Sequence, residues 1–305
     1  MGTADFAVPS LGAILKEGYE VVGVVTAPDK KAGRGQKISQ SPVKAFAVEN
    51  DLNLLQPTNL KSEEFQSELK SLEADLFVVV AFRMLPESVW GMSPKGTINL
   101  HSSLLPQYRG AAPINWAIIN GDKETGVSTF FIEKEIDTGD VIYQASTEID
   151  PNENAGSLHD RLMMIGADLM VKTLVSIEKG DMPRVKQNFS QELLPAPKIF
   201  KDDCIIDWNK DVEAIHNFVR GMSPYPVAWT YLGDKSLRIT EAEKELADHN
   251  HPNGSIHFDS RKSLKVACKG GYLNIKHLQL QGKKRMDIAS FRNGTQLEEG
   301  TVLGN

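Results

Sequence analysis

With 305 residues, 41% of them hydrophobic and 24% charged, the chain has the composition of a soluble globular protein and enough length for two domains with real cores. It has no apolar run of about 18 residues, which excludes a membrane-spanning helix, and its opening MGTADFAVPS has neither the basic flank nor the apolar core of a signal peptide. A net charge of -6 argues against indiscriminate nucleic-acid binding.

That charge is uneven. Residues 1–200 hold 19 basic and 26 acidic groups, a balance of -7, and residues 201–305 hold 15 and 14, a balance of +1. The second half can therefore carry a local RNA-facing surface. The two cysteines, Cys204 and Cys268, sit in no metal-ligand spacing and read as buried small hydrophobes of a cytoplasmic chain.

Taken in order, the first half alternates two patterns. EVVGVV (20–25) and DLFVVVAF (75–82) read as strands buried on both faces. Ser41-Pro42 offers a capping hydroxyl followed by proline at a first helical position. The longest helix is expected from Ser157 to Lys179, with Leu158, Leu162, Ile165, Leu169 and Ile177 along one face and Gly180 as the stop. Such alternation predicts an α/β domain over 1–180, Rossmann-like with a mostly parallel sheet, whose ligands lie beyond the carboxyl ends of the strands. Residues 181–200 have three prolines and no steady period, which predicts a linker. From 201 to 305 one helix (Asp211 to Arg220) is followed by alternating runs at 229–232, 236–243, 255–258, 263–269 and 272–281. These predict a small OB-like β-barrel.

The stretch most informative about chemistry is 98–142. Asn99 and His101 stand two apart at the carboxyl end of a predicted strand, so they share a face while Leu100 points away. Asp137 follows in a turn-like D-T-G-D after another predicted strand. An amide, an imidazole and a carboxylate converging at a sheet edge suit acyl transfer to an amine. Asn99 would donate to a carbonyl oxygen gaining negative charge. His101 would donate to the same oxygen or pass a proton to the leaving nitrogen, and Asp137 would hold the imidazole and favour its charged form. The bland readings stand beside this one: N-x-H pairs after strands are common, and Asp beside Gly is more often a turn residue.

Two basic clusters stand out. Lys30, Lys31, Arg34 and Lys37 form a glycine-containing loop that lacks the Lys-Ser/Thr ending of a phosphate-binding loop; in the second half, Lys283, Lys284 and Arg285 are the densest group. Both are ordinarily solvated surface. His249 and His251 lack a third ligand for a metal.

At N-L-H-S-S-L-L-P, followed 31 residues after Pro106 by the aspartate of I-D-T-G-D, the sequence resembles the folate-dependent formyltransferases. It is most similar to the bacterial branch whose acceptor is methionyl-tRNA. Supporting matches run collinearly along nearly the whole chain: MGTADFAVPSL (1–11), DKKAGRGQKISQSPVKAFA (29–47), VVVAFRMLP (78–86), RGAAPINWAI (109–118), CIIDW (204–208), SPYPVAW (223–229) and LQLQGKKRM (278–286). The resemblance implies that Asn99, His101 and Asp137 are catalytic. It implies that Ser103, Leu104, Leu105 and Pro106 bind the folate, and that Ala81, Phe82, Met84 and Leu85 line its pterin pocket. The donor would be 10-formyltetrahydrofolate, with no metal, and the acceptor initiator methionyl-tRNA. Lys30, Lys31, Arg34 and Lys37 would engage the tRNA acceptor end, with Arg34 foremost, and the barrel with Lys283, Lys284 and Arg285 would contact the tRNA further. A monomer is expected. The family also has a short strand ahead of M-G-T, so 1–180 is expected to be a catalytic domain whose first strand is missing. The rival readings are a formyltransferase acting on a small amine, such as a ribonucleotide or amino sugar, and a non-enzymatic RNA-binding protein on the same scaffold.

Overall fold

A computed structural model describes residues 1–32, 37–190, 192–260 and 262–304. The chain forms two compact units. One comprises Met1–Gly110, Gly126–Thr147 and His159–Pro195, the other Ala111–Thr125, Glu148–Leu158 and Ala196–Asn305.

In the first unit, helix α1 (Val8–Lys16) precedes strand β1 (Val24–Val25) and a short antiparallel ribbon of β2 (Lys30–Ala32) and β3 (Lys37–Ser39). Helix α2 (Pro42–Glu49) begins where Ser41-Pro42 placed it: the Ser41 hydroxyl accepts from the Lys44 N–H at 3.0 Å, a cap that contributes about 1 kcal/mol. Strand β4 (Leu54–Leu55) pairs parallel with β1. Helix α3 (Glu63–Ser71) leads to β5 (Phe77–Val80), helix α4 (Glu87–Trp90) and β6 (Thr97–His101), with β5 and β6 parallel. Strand β7 (Glu124–Phe131) then runs antiparallel to β6, and β8 (Val141–Glu148) lies beside β7. The expected α/β unit is thus present, with parallel pairing among the described residues in β1–β4, in β5–β6 and at the Gly2–Val80 bridge. Residues 102–123 between β6 and β7 are enough for a crossover in either direction, so loop length does not impose the reversal of β7, whereas residues 132–140 between β7 and β8 are too few for a parallel return. The long helix, α6 (Ala155–Lys179), starts two residues before the predicted Ser157; the Asn154 side chain accepts from the Ser157 N–H there.

Only the last two residues of EVVGVV join a ladder. Residues Met1 and Gly2 lie between β1 and β5: the Gly2 N–H donates to Val25 O, and the Val80 N–H to Met1 O, both at 3.0 Å. Because the Phe77 N–H bonds to Gly96 and the Val24 N–H to Asn53, Val78 and Gly23 turn their own backbone groups to the opposite edges. Those edges border a cavity of about 420 Å³, lined among others by Val21, Gly23, Leu72, Val78 and Ile177.

In the second unit, helix α5 (Pro113–Ile119) packs on α7 (Val212–Gly221), and the Asn115 amide donates to Gly221 O at 2.7 Å. The Asp211 side chain caps α7 at Ala214. The expected all-β region is a six-stranded antiparallel sheet. Strands β9 (Ala228–Leu232), β10 (Lys235–Leu246), β11 (Ile256–His257), β12 (Lys265–Cys268) and β13 (Gly271–Leu280) lie in the order β11-β12-β13-β10-β9, and β14 (Met286–Asp287) pairs with β13. Helix α8 (Ile288–Gly294) closes the region. Trp208, Ile215, Met222, Leu237, Leu273 and Phe291 build its core. Both cysteines are free and buried, and burial pushes the Cys268 thiol up to about 11. Among the described residues no helix is long and apolar enough to cross a membrane, and no group of His, Cys, Asp and Glu could hold a metal ion.

His216 on α7 is buried with no partner for Nδ1. Burial, with Arg220 and Lys244 nearby, lowers it from its ordinary 6.5 to about 4. The unfolded chain therefore takes up this proton first, so the contribution is fully present above pH 6.5 and lost as pH falls toward 4. Melting temperatures of His216→Gln and wild type across that window are expected to converge as the pH falls, with the variant curve the flatter.

Candidate active site

The site is built on β6. In the run Thr97–His101 the alternating Ile98 and Leu100 are buried in the core, which turns Asn99 and His101 to the other face. Pairing on both edges holds that face: Val80 with Leu100 on the β5 side, and His101 with Ser128 on the β7 side.

His101 is buried, and its Nε2 lies 2.8 Å from Tyr108 O. A carbonyl only accepts, so Nε2 carries the hydrogen and the ring is oriented by the backbone. Nδ1 faces the Asp137 carboxylate, with Oδ2 at 3.8 Å, beyond hydrogen-bond length but close enough for a strong field on any proton there. The ring is thus held by the Tyr108 carbonyl rather than by a hydrogen bond to Asp137.

Asp137 is both things its sequence context allowed. It occupies a turn, with φ of 54° in the left-handed region, and its Oδ2 accepts the Gly110 N–H at 3.0 Å. The turn needs glycine two residues on, because a Cβ on Gly139 would stand 1.8 Å from Phe131 O. Arg109, adjacent to Gly110, is lowered by burial while the carboxylates of Asp137 and Glu135 push it back up.

The two segments expected to meet the folate leave adjacent parallel strands at the same carboxyl edge, 81–85 after β5 and 102–106 after β6. Their side chains divide. Leu85 packs in the core with Val89, partly covered by Phe82, and Leu105 packs against Phe130 and Val141. The Ser103 hydroxyl donates to Gln107 O at 2.6 Å, and its carbonyl accepts from Ser128. Ala81 and Met84 are exposed, with Leu104 and Pro106 half-buried. What this edge offers a ligand is therefore the backbone and the latter four residues.

Of the basic residues, Lys30, Lys283 and Lys284 are exposed, and Arg285 is paired with Glu241 at 3.3 Å. Arg34 lies outside the described residues, as do the side chains of Lys31 and Lys37. His249 spends Nε2 on the carbonyls of Cys268 and Gly271, as befits a structural histidine.

The sequence reading missed Tyr108, Arg109 and Gln187. Tyr108 acts through its carbonyl, which has no side-chain signature. Gln187 falls in the predicted linker, yet it is buried and bonded to the Asp137 turn. No periodicity marked it: Val185 and Phe189, two residues to either side, are themselves exposed, and the stretch is held through a two-bond backbone bridge of Val185 with Val141.

Comparison with known proteins places this geometry. The formyl transferase profile matches residues 1–174, and the formyl transferase C-terminal domain profile matches residues 198–296. The chain is 53% identical to the methionyl-tRNA formyltransferase of Parabacteroides distasonis, covering 99% of this chain and 97% of that protein. It is 52% identical to that of Flavobacterium johnsoniae, covering 96% and 94%. Among solved structures, it resembles an N-formyltransferase from Helicobacter canadensis in complex with folinic acid and dTDP-3-aminofucose, with a TM-score of 0.64 at 21% identity over 93% of this chain and 97% of that one. HypX from Aquifex aeolicus, in complex with tetrahydrofolic acid, gives 0.60 at 19% identity over 80% and 43%. With both of its domains matched and close relatives along nearly its full length, the chain belongs to the formyl transferase family.

Proposed function

We propose that this protein transfers the formyl group of 10-formyltetrahydrofolate to the free amino group of initiator methionyl-tRNA in the cytoplasm, giving the formylated tRNA that begins translation. The observation that carries this reading is the single face of β6, where Asn99 and His101 stand side by side with the Asp137 carboxylate 3.8 Å from the imidazole. The identity of about half to curated methionyl-tRNA formyltransferases supports the acceptor. The folate compounds named with the solved neighbours support the donor class.

The chemistry needs no nucleophilic side chain. The acceptor amine attacks the formyl carbon, a new C–N bond forms, and the C–N bond to the folate nitrogen breaks. A proton leaves the acceptor and one arrives on the departing nitrogen. The Asn99 amide N–H donates to the formyl oxygen as it takes up negative charge. His101 Nδ1 faces the Asp137 carboxylate, and a proton carried there is available to the same oxygen or to the leaving nitrogen. The exposed Ala81 and Met84 and half-buried Leu104 and Pro106 flank the donor. Arg34, with Lys30, Lys31 and Lys37, contacts the acceptor end of the tRNA, and Lys283, Lys284 and Arg285 contact it elsewhere.

The test is transfer of labelled formyl to charged initiator tRNA. Wild type is expected to transfer, and His101→Ala to lose nearly all turnover. Asn99→Ala should lose about 10²–10³ in kcat with little change in folate KM, the usual effect of removing one oxyanion donor. Transfer only to a small amine would move the acceptor to the rival reading, and tRNA binding without transfer would remove the enzymatic one. Arg34→Ala is expected to raise the tRNA KM while folate binding, measured by fluorescence titration, stays at the wild-type value. Affinity for tRNA should fall steeply as salt is added, since phosphate contacts release counterions.

A further inference from the structure

Among the described residues of 181–195 there is no named helix or strand, yet one polar side chain in them is buried and fully bonded. The Gln187 amide donates to the carbonyls of Asp137 at 2.9 Å and of Gly139 at 2.8 Å. Its Oε1 accepts from Arg109 Nη2 at 2.6 Å. Both amide hydrogens and the oxygen are thereby spent, which is how a buried amide avoids a desolvation cost of about 1–3 kcal/mol per unmade bond.

What these bonds hold is the unusual part. Asp137 sits at φ 54°, a conformation that costs a non-glycine residue about 1 kcal/mol and persists only where its surroundings impose it. Gln187 holds the carbonyl of Asp137 itself, so it sets the direction of the peptide that follows the carboxylate-bearing residue. The same glutamine holds Arg109, and the next residue, Gly110, donates its N–H to Asp137 Oδ2. The contacts close a ring in which Gln187 grips the backbone of Asp137 on one side and steadies the donor to its carboxylate on the other. Arg109 is further packed over the Phe189 ring, 4.4 Å from its centroid, and the segment is anchored by the Val185–Val141 bridge. Gln187 and Phe189, two apart on this anchored stretch, therefore both act on Arg109.

We propose that Gln187 is a positioning residue for the reaction: through Arg109 and the Asp137 turn it fixes the carboxylate opposite His101 Nδ1. This rests on the reading of Asp137 as catalytic, and it gives the segment after α6 a part in the chemistry beyond connecting two units. Arg109 shares that part as the link from Gln187 to Gly110.

The experiment is a double-mutant cycle on steady-state formyl transfer, with Gln187→Leu, Asp137→Asn and the double variant, each measured across pH with Tm alongside. Gln187→Leu is expected to lower kcat by about 10- to 100-fold, the scale of a small misplacement of a catalytic group, to change the folate KM little, and to displace the acid limb of the kcat profile. In the Asp137→Asn background the same substitution should cost less than about threefold, because the group it positions is already gone. Gln187→Glu keeps the acceptor for Arg109 but sets a carboxylate against two carbonyls. It should retain the wild-type Tm more closely than the leucine variant while still losing turnover and displacing the profile, which keeps the test decisive if Gln187→Leu fails to fold. Equal losses from Gln187→Leu in both backgrounds, or an unchanged pH profile, would overturn the inference while leaving the site intact. Full turnover in Asp137→Asn would overturn the inference together with the site reading beneath it.

Discussion

Strand β6 has a partner on each edge, and the chemistry assigned to this protein depends on the register of those two ladders. Side chains alternate along a strand, so the pairing that buries Ile98 and Leu100 is the same pairing that presents Asn99 and His101. A slip of one residue would put two aliphatic groups at the reacting centre and drive an amide and an imidazole into the core. The core and the site are therefore opposite faces of one constraint. Stability of the hydrophobic face maintains the geometry of the polar one.

The carboxylate comes from a different kind of structure. Asp137 stands on the connection between β7 and β8 and adopts a backbone conformation its own side chain does not favour. Its placement is imposed from outside, by the Gly110 N–H, by the tight approach at Gly139 and by a buried glutamine some fifty residues later. The imidazole between strand and loop is oriented by a backbone carbonyl at Nε2 and faces the carboxylate at Nδ1. A rigid strand thus supplies two of the three groups, and a loop braced at several points supplies the third.

What could be read ahead of the fold follows the same division. The shared face of Asn99 and His101 was legible because strand periodicity is local, as was the cap at Ser41. Helix α7 and the strand runs of the second unit were legible for the same reason. The reversal of β7 was not, since G-V-S-T-F-F has the same apolar pattern whichever way it runs. EVVGVV has the composition of a buried strand, but only Val24 and Val25 find a ladder partner, and partnership is decided far away in the chain. Of the residues expected to line the folate, Leu85 and Leu105 are absorbed by the core and Ser103 by its own turn; apolar residues beside a site read the same as apolar residues beneath it. Gln187 was hidden among prolines. Its apolar neighbours two residues away, Val185 and Phe189, are exposed, so no period in the sequence set the buried amide apart.

The most direct test of the central claim is a crystal structure of the protein with a non-transferring formyl-folate analogue. The account predicts the formyl oxygen within about 3 Å of the Asn99 amide nitrogen, hydrogen-bond length, with the formyl carbon on the Nδ1 side of His101 and the folate body along the edge formed by Ala81, Met84, Leu104 and Pro106. A formyl group bound away from the exposed face of β6, with Asn99 and His101 touching nothing of it, would contradict the account.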